Sequence, residues 1–215
     1  MALKKIKIKS SKIAVILILV GIAGLVYSYA IYNYYPKPPN GALTSKNAPS
    51  SIKPSSNAIN SYSVPPNNPK YIIIPSLNIS DTRIVKLGLT SGGQIASPDN
   101  IYDTGWYQNS ALPGQKGAMF IYGHVSSWTA NGIFYNLKKL IPGDKVLIVT
   151  GNNKFYTYQV VTSKVYPYNN VNMQQVLSPI DPKVAGLNLM TCTGQVIKNT
   201  SEFNQRLVVF TKLIT

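Results

Sequence analysis

The sequence predicts a mostly β head, a closed barrel or a sandwich with little helix, carried behind one apolar helix. Three observations lead there. From about residue 70, short β-branched and aromatic runs recur between Gly, Pro and Asn turns. Only Ile133 to Leu140 in that region reads as helix, opened by Asn131-Gly132 and stopped by Pro142-Gly143. Before residue 70 the composition changes twice, from apolar to Pro/Ser/Asn-rich and then to strand-like.

Ile13 to Tyr32 carries no charge. At 1.5 Å per residue, such a run of about 20 residues spans a bilayer core of roughly 30 Å. Lys4, Lys5, Lys7, Lys9 and Lys12 precede it, and Tyr27, Tyr29, Tyr32, Tyr34 and Tyr35 gather at its far end. Basic residues inside and an aromatic belt outside predict a cytoplasmic tail over 1–12, a single-pass transmembrane anchor over 13–35 and an exported remainder. A cleaved leader is the rival reading, since Ser28-Tyr29-Ala30 resembles a cleavage site. Residues 36–69, rich in Pro, Ser and Asn, have little to bury and read as a flexible tether.

The head, 70–215, opens with YIIIPSLNI (71–79), in which Pro75 predicts an edge strand or a bulge. RIVKLGL (83–89) is the next strand, and GAMFIYGH (117–124) follows the turn Leu112-Pro113-Gly114. KVLIVT (145–150) and KFYTYQVVTSKVY (154–166) flank Gly151-Asn152-Asn153 as a hairpin. LNLMTC (187–192) and RLVVFTKLI (206–214) complete the set, with no internal repeat.

The net charge is +15, and of the basic residues only Arg83 and Arg206 are Arg. Nucleic-acid readers cluster Arg with aromatics on one face, and no such cluster occurs, so no nucleic-acid partner is expected. One Cys excludes an internal disulfide, and one Cys with one His excludes ordinary zinc sites.

The chemistry converges on three residues. The sole His, His124, ends one apolar strand; the sole Cys, Cys192, ends another; Arg206 opens the last. A thiolate attacks far better than a thiol, and a neighbouring cation or imidazolium favours it. The same imidazole can protonate a leaving amine, and a guanidinium presents fixed donors to a tetrahedral oxyanion. Together they suffice for acyl transfer from a peptide bond through a thioester. Singly, each has a structural reading: a small buried hydrophobe, a turn residue, a surface charge. His before Cys disfavours papain-like hydrolases, and Cys192 lacks the caspase Gln-Ala-Cys context.

Gly105-Trp106-Tyr107, Leu112-Pro113-Gly114-Gln115-Lys116-Gly117 and Tyr122-Gly123-His124-Val125 resemble the sortase family around its catalytic His. LNLMTCTG (187–194) is similar to the family's strand ending in the nucleophile, and Arg206 falls where the family has its catalytic Arg. YIIIPSLNI, FYNLKKLIPGDKV (134–146) and the closing strand extend the likeness over 70 to 215, and the short motifs look most similar to the class D, E and F group. The resemblance implies a closed, mostly antiparallel eight-stranded barrel. It also implies a cysteine transpeptidase that cuts a C-terminal Leu-Pro-x-Thr-Gly-like sorting signal and passes the acyl group to an amine of a cell-wall precursor or a pilin. By position Cys192 is then the nucleophile, His124 the general acid/base, Arg206 the oxyanion group and Thr191 a helper in the substrate groove. Thr193 follows the Cys where some relatives carry Gly, and the tether lacks the Asp-aromatic pair of an inhibitory lid. Some relatives bind calcium through clustered acids; the six acidic residues here are scattered, so no metal and no cofactor is expected. The loop 167–186 occupies the position of the family's substrate-selecting loop. Two alternatives remain at this level: an exported cysteine peptidase or amidase that only hydrolyses, and a non-enzymatic wall-binding module.

Overall fold

The structure, a computed structural model, describes residues 10–34, 37 and 48–215. It divides into two units, 1–36 and 37–215. The first contains one helix, α1 (Ser10–Tyr34). Side chains within it are described over 17–30 and are exposed. Among the described residues no helix is long and apolar enough to cross a membrane. The transmembrane part of the expectation over 13–35 is therefore not carried by the structure. Most of the basic tail, 1–9, lies outside the described residues.

The second unit is a closed eight-stranded barrel: β1 (Pro69–Ile74), β2 (Ile79–Leu87), β3 (Thr104–Tyr107), β4 (Ala118–Gly123), β5 (Lys145–Thr150), β6 (Phe155–Pro167), β7 (Gly186–Val196) and β8 (Phe203–Leu213). Around the barrel the order is β1-β2-β3-β4-β7-β8-β6-β5. Only β2–β3 and β4–β7 are parallel. Alternation sends Ile72, Ile121, Ile148, Leu189, Leu207 and Val209 into one interior cluster. β4 and the first seven residues of β7 are buried at every position, so both of their faces are covered. That is why GAMFIYG and LNLMTC read as continuous apolar runs instead of alternating ones.

The sequence-predicted strands recur, with differences that have local causes. Pro75 does not mark an edge, because closure leaves none. It ends β1 and starts a 3₁₀ turn, Pro75–Leu77, closed by Asn78 at φ 54°. β2 therefore begins at Ile79, four residues earlier than its apolar run indicates. β3, four residues long, is too short for a pattern and was not expected as a strand. The helix anticipated over 133–140 shrinks to the 3₁₀ turn Leu137–Lys139. The Phe134 amide is donated to the His124 carbonyl (2.9 Å), which bends the chain before a helix can start.

Part of the 36–69 tether, 36 and 38–47, lies outside the described residues. From residue 48 the chain runs along the barrel. Ser50 donates its amide to the Asp99 carbonyl (2.7 Å), and Ile101 donates to the Ser50 carbonyl (3.0 Å). A short helix, α2 (Ser56–Asn60), is capped by the Ser55 hydroxyl. Tyr62 donates to the Ile84 carbonyl at 2.7 Å. Low apolar content did not prevent order here, because barrel backbone and ring faces supply the partners.

The Leu112-Pro113-Gly114 turn is tied to the core by the Tyr158 hydroxyl, which accepts the Gly114 amide at 2.9 Å. Burial pushes this phenol up to about 12, so it stays neutral. Gly114 sits at φ 74°, and a Cβ there would meet the Tyr156 ring. Tyr158→Phe should leave the Gly114 amide unpaired at a cost of about 1–3 kcal/mol. Urea denaturation at unchanged m-value would measure it.

Candidate functional site

The rim of the barrel where β4 ends beside β7 collects the chemistry. These strands run in parallel, with Tyr122 opposite Met190. Gly123-His124, where β4 ends, therefore lies beside Thr191-Cys192 of β7. β7 runs on to Val196 and β8 starts at Phe203. Cys192 and Arg206 thus sit inside their strands and not at the ends their apolar runs indicate, because the two strands keep pairing beyond them. The Thr191 hydroxyl donates to the Gly123 carbonyl at 2.8 Å and locks that juxtaposition. Thr191, expected as a helper in the substrate groove, lines the cavity beside Cys192 while its hydroxyl ties the two strands. On the other side β8 runs antiparallel, and Arg206 is the direct cross-strand partner of Cys192.

Leu187 and Leu189 belong to the interior cluster, so Met190 and Cys192 project to the outer face, as do Tyr122 and Arg206 on their strands. That face is covered. Asn188 donates to the carbonyls of Val176 (2.7 Å) and Ser178 (2.9 Å), seating the connection between β6 and β7 and its helix α3 (Met173–Val176). In the same connection the Tyr168 ring faces the Arg206 guanidinium at 5.8 Å. Cys192 is 4% exposed and Arg206 1%. A cavity of about 150 Å³ is lined by Ser126, Tyr135, Lys138, Thr191, Cys192 and Leu207 among others; His124 and Arg206 do not line it.

The structure does not join Cys192 and His124 by a hydrogen bond. The thiol meets the Tyr122 hydroxyl at 3.2 Å. The imidazole Nε2 meets the Pro98 carbonyl at 2.8 Å. A carbonyl only accepts, so Nε2 carries the proton and Nδ1 the lone pair. Tyr122 stands between the two, its ring edge-on to the imidazole at 5.8 Å. Motif reading noticed Tyr122 only as part of the run before His124. Its signal was present, because a residue two positions before His124 on a strand shares its face.

Arg206 donates through Nη2 to Glu202 (2.9 Å) and through Nη1 to the carbonyls of Phe203 (2.8 Å) and Gln205 (3.1 Å). Glu202 escaped sequence notice; an acid four residues before a buried Arg is the cue. Burial pushes the Cys192 thiol above its ordinary 9.0, opposed by Arg206 and by the Tyr122 hydrogen bond. Burial pushes His124 below its ordinary 6.5, opposed by Pro98. Between those values both groups rest neutral. Among the described residues no cluster of three or more His, Cys, Asp or Glu is arranged to hold a metal ion.

The backbone around His124 is tightly packed. A Cβ on Gly123 would lie 2.5 Å from the Phe134 ring, and one on Gly132 2.4 Å from the His124 carbonyl. Geometry of this kind can activate a thiol for attack on a carbonyl and place a guanidinium beside the resulting oxyanion.

A family model described as Sortase domain matches residues 72–214. Among solved structures, a sortase D5 transpeptidase from Clostridium perfringens is 25% identical, with TM-score 0.50, covering 69% of this chain and 79% of its own. A lid mutant of sortase A from Corynebacterium diphtheriae is 22% identical, with TM-score 0.53 and coverage of 78% and 84%. Sortase C from Streptococcus pneumoniae is 20% identical, with TM-score 0.53 and coverage of 81% and 79%. No match was found among curated proteins.

Three outcomes follow from this geometry. Thr191→Val should cost about 1–3 kcal/mol by leaving the Gly123 carbonyl unpaired, and should lower the alkylation rate of Cys192. Gly123→Ala should destabilise by about 1–3 kcal/mol through overpacking against Phe134, read by thermal melting. For His124 the unfolded chain binds the proton more tightly than the folded one. Its contribution to stability is present above 6.5 and is lost as pH falls from 6.5 through the lower folded value. The stability difference between the wild type and His124→Gln should shrink over that window; a pH-independent difference would contradict a buried neutral imidazole.

Proposed function

The chain belongs to the sortase family of cysteine transpeptidases, and on that footing we propose that Cys192 is its nucleophile, His124 its general acid/base and Arg206 its oxyanion group. The observation that supports this best is the cross-strand pairing of Cys192 with Arg206, with Cys192 lining a cavity. Cys192 is also the chain's only cysteine.

The substrate is a secreted protein bearing a C-terminal Leu-Pro-x-Thr-Gly-like sorting signal. The Cys192 thiolate attacks the Thr carbonyl carbon, forming a C–S bond and an oxyanion held by Arg206. Collapse breaks the Thr–Gly bond; the departing amine takes its proton from His124. An incoming amine, on a cell-wall precursor or a pilin lysine, then attacks the thioester carbonyl and gives up a proton to the neutral His124, which restores the imidazolium. The new amide forms as the sulfur leaves. Because burial keeps thiol and imidazole neutral at rest, the reactive thiolate–imidazolium form requires His124 to turn from Pro98 toward the thiol, where the two opposite charges stabilise each other.

The acting chain is held at the membrane by 13–35, with the N-terminus cytoplasmic and the barrel outside. This reading is supported by the uncharged run, the five preceding Lys and the apolar side chains exposed along α1, including Leu17, Leu19, Ile22 and Leu25.

Incubating the full chain with a sorting-signal peptide and an amine should yield an acyl-enzyme by mass spectrometry and then an amide. Hydrolysis alone would overturn the transfer step. Cys192→Ala should fold normally yet form no acyl-enzyme, since a small side chain leaves little cavity. Arg206→Lys should lower kcat by about 100-fold or more, because an ammonium cannot reproduce the guanidinium fork.

A further inference from the structure

The one hydrogen bond of the Cys192 thiol is to a group with no assigned part in the chemistry. The Tyr122 hydroxyl lies 3.2 Å from Sγ, and both side chains are buried on the same outer face of β4 and β7. Tyr122 is fully buried. A buried phenol costs free energy unless its hydroxyl is paired, so a site that needed only a ring would be served by Phe. Here the hydroxyl has the thiol as its hydrogen-bond partner.

We propose that Tyr122 is a positioning residue for the nucleophile: its hydroxyl donates to Cys192 Sγ, aims the sulfur and stabilises the thiolate when it forms. While the thiol is neutral, either atom can donate. Once the proton leaves sulfur, only the phenol has one to give, and the bond becomes charge-assisted. The phenol keeps its proton throughout, because burial holds its ionisation well above the ordinary 10.

The charges around the sulfur show why a neutral donor matters. Arg206 faces it from β8, but its guanidinium is paired with Glu202 at 2.9 Å, and Glu202 opposes ionisation of the thiol. His124, after β4, is turned to Pro98 and contacts Tyr122 through its ring alone. Lys138, from the segment between β4 and β5, lines the cavity from an exposed position, where solvent screens it. Of these groups Tyr122 is the one hydrogen-bonded to Sγ. The edge-on ring contact adds a second function: the same side chain limits where the imidazole can swing when it leaves Pro98.

The proposal deepens the nucleophile role given above to Cys192 and can be tested apart from it. The pH dependence of alkylation by iodoacetamide reads the thiol directly, whatever the enzyme's substrate. In full-length Tyr122→Phe, which keeps the ring and its contact with His124, the alkylation midpoint should rise by about half a unit. The rate at fixed pH below both midpoints should fall about threefold. With the sorting-signal peptide, kcat should fall while KM changes little. A midpoint that stays or falls in Tyr122→Phe overturns the proposal, even where turnover is lost. Should the Phe variant melt below the assay temperature, the same alkylation profile of wild type and variant is taken below the variant's melting point. The midpoint of the variant should again lie above that of the wild type, and an equal midpoint overturns the assignment. Failure of Cys192 itself to acylate would refute the mechanism while leaving the alkylation result standing.

Discussion

The parallel pairing of β4 with β7 is the constraint on which the remainder of this molecule rests. Parallel strands point their ends the same way, so one rim receives both His124 and Cys192 from residues far apart in sequence. The Thr191–Gly123 hydrogen bond fixes this arrangement at its last rung, where strands otherwise fray. Antiparallel pairing with β8 then delivers Arg206 without any further device, because register determines which residue lies opposite Cys192. A one-residue slip of β8 would turn Arg206 toward the apolar interior that Leu207 and Val209 now fill.

Placing the site on the outer face, under the β6–β7 connection, has electrostatic consequences. Burial disfavours every charge there, raising the thiol and lowering the imidazole. The groups that oppose burial are the buried Arg206 and the Tyr122 donor. Arg206 is itself neutralised in part by Glu202, which makes the pair tolerable in a dry environment. The resting site is thus nearly charge-balanced and keeps its thiol protonated. An unengaged thiolate is more readily oxidised than a thiol, and this arrangement limits that reactivity.

Much of the barrel was legible because its strands are doubly covered or cleanly alternating. KVLIVT coincides with β5, and the Gly/Asn turn after it closes the expected hairpin. What escaped was short or depended on distant partners. β3 has only four residues, too few for any period to declare itself. The polar chain from residue 48 to 68 looked unable to order itself, and by itself it has little to bury. Its partners, the carbonyls of Asp99 and Ile84, lie dozens of residues away. The helix expected after Asn131-Gly132 yielded to a single backbone bond between Phe134 and His124, which no local propensity encodes.

The sequence by itself determined the inventory: one thiol, one imidazole, a rare guanidinium, each in or beside a strand, and the motifs that join them to a family. Those are properties of residue type and spacing, which survive without coordinates. Only the tertiary structure decided who touches whom. Cys192 bonds to Tyr122 and not to His124, His124 bonds to Pro98, Thr191 ties two strands, and Arg206 shares its charge with Glu202. Hydrogen bonds require distances within about 3.5 Å and defined angles. Those come from strand register and from which face each side chain occupies once the barrel has closed.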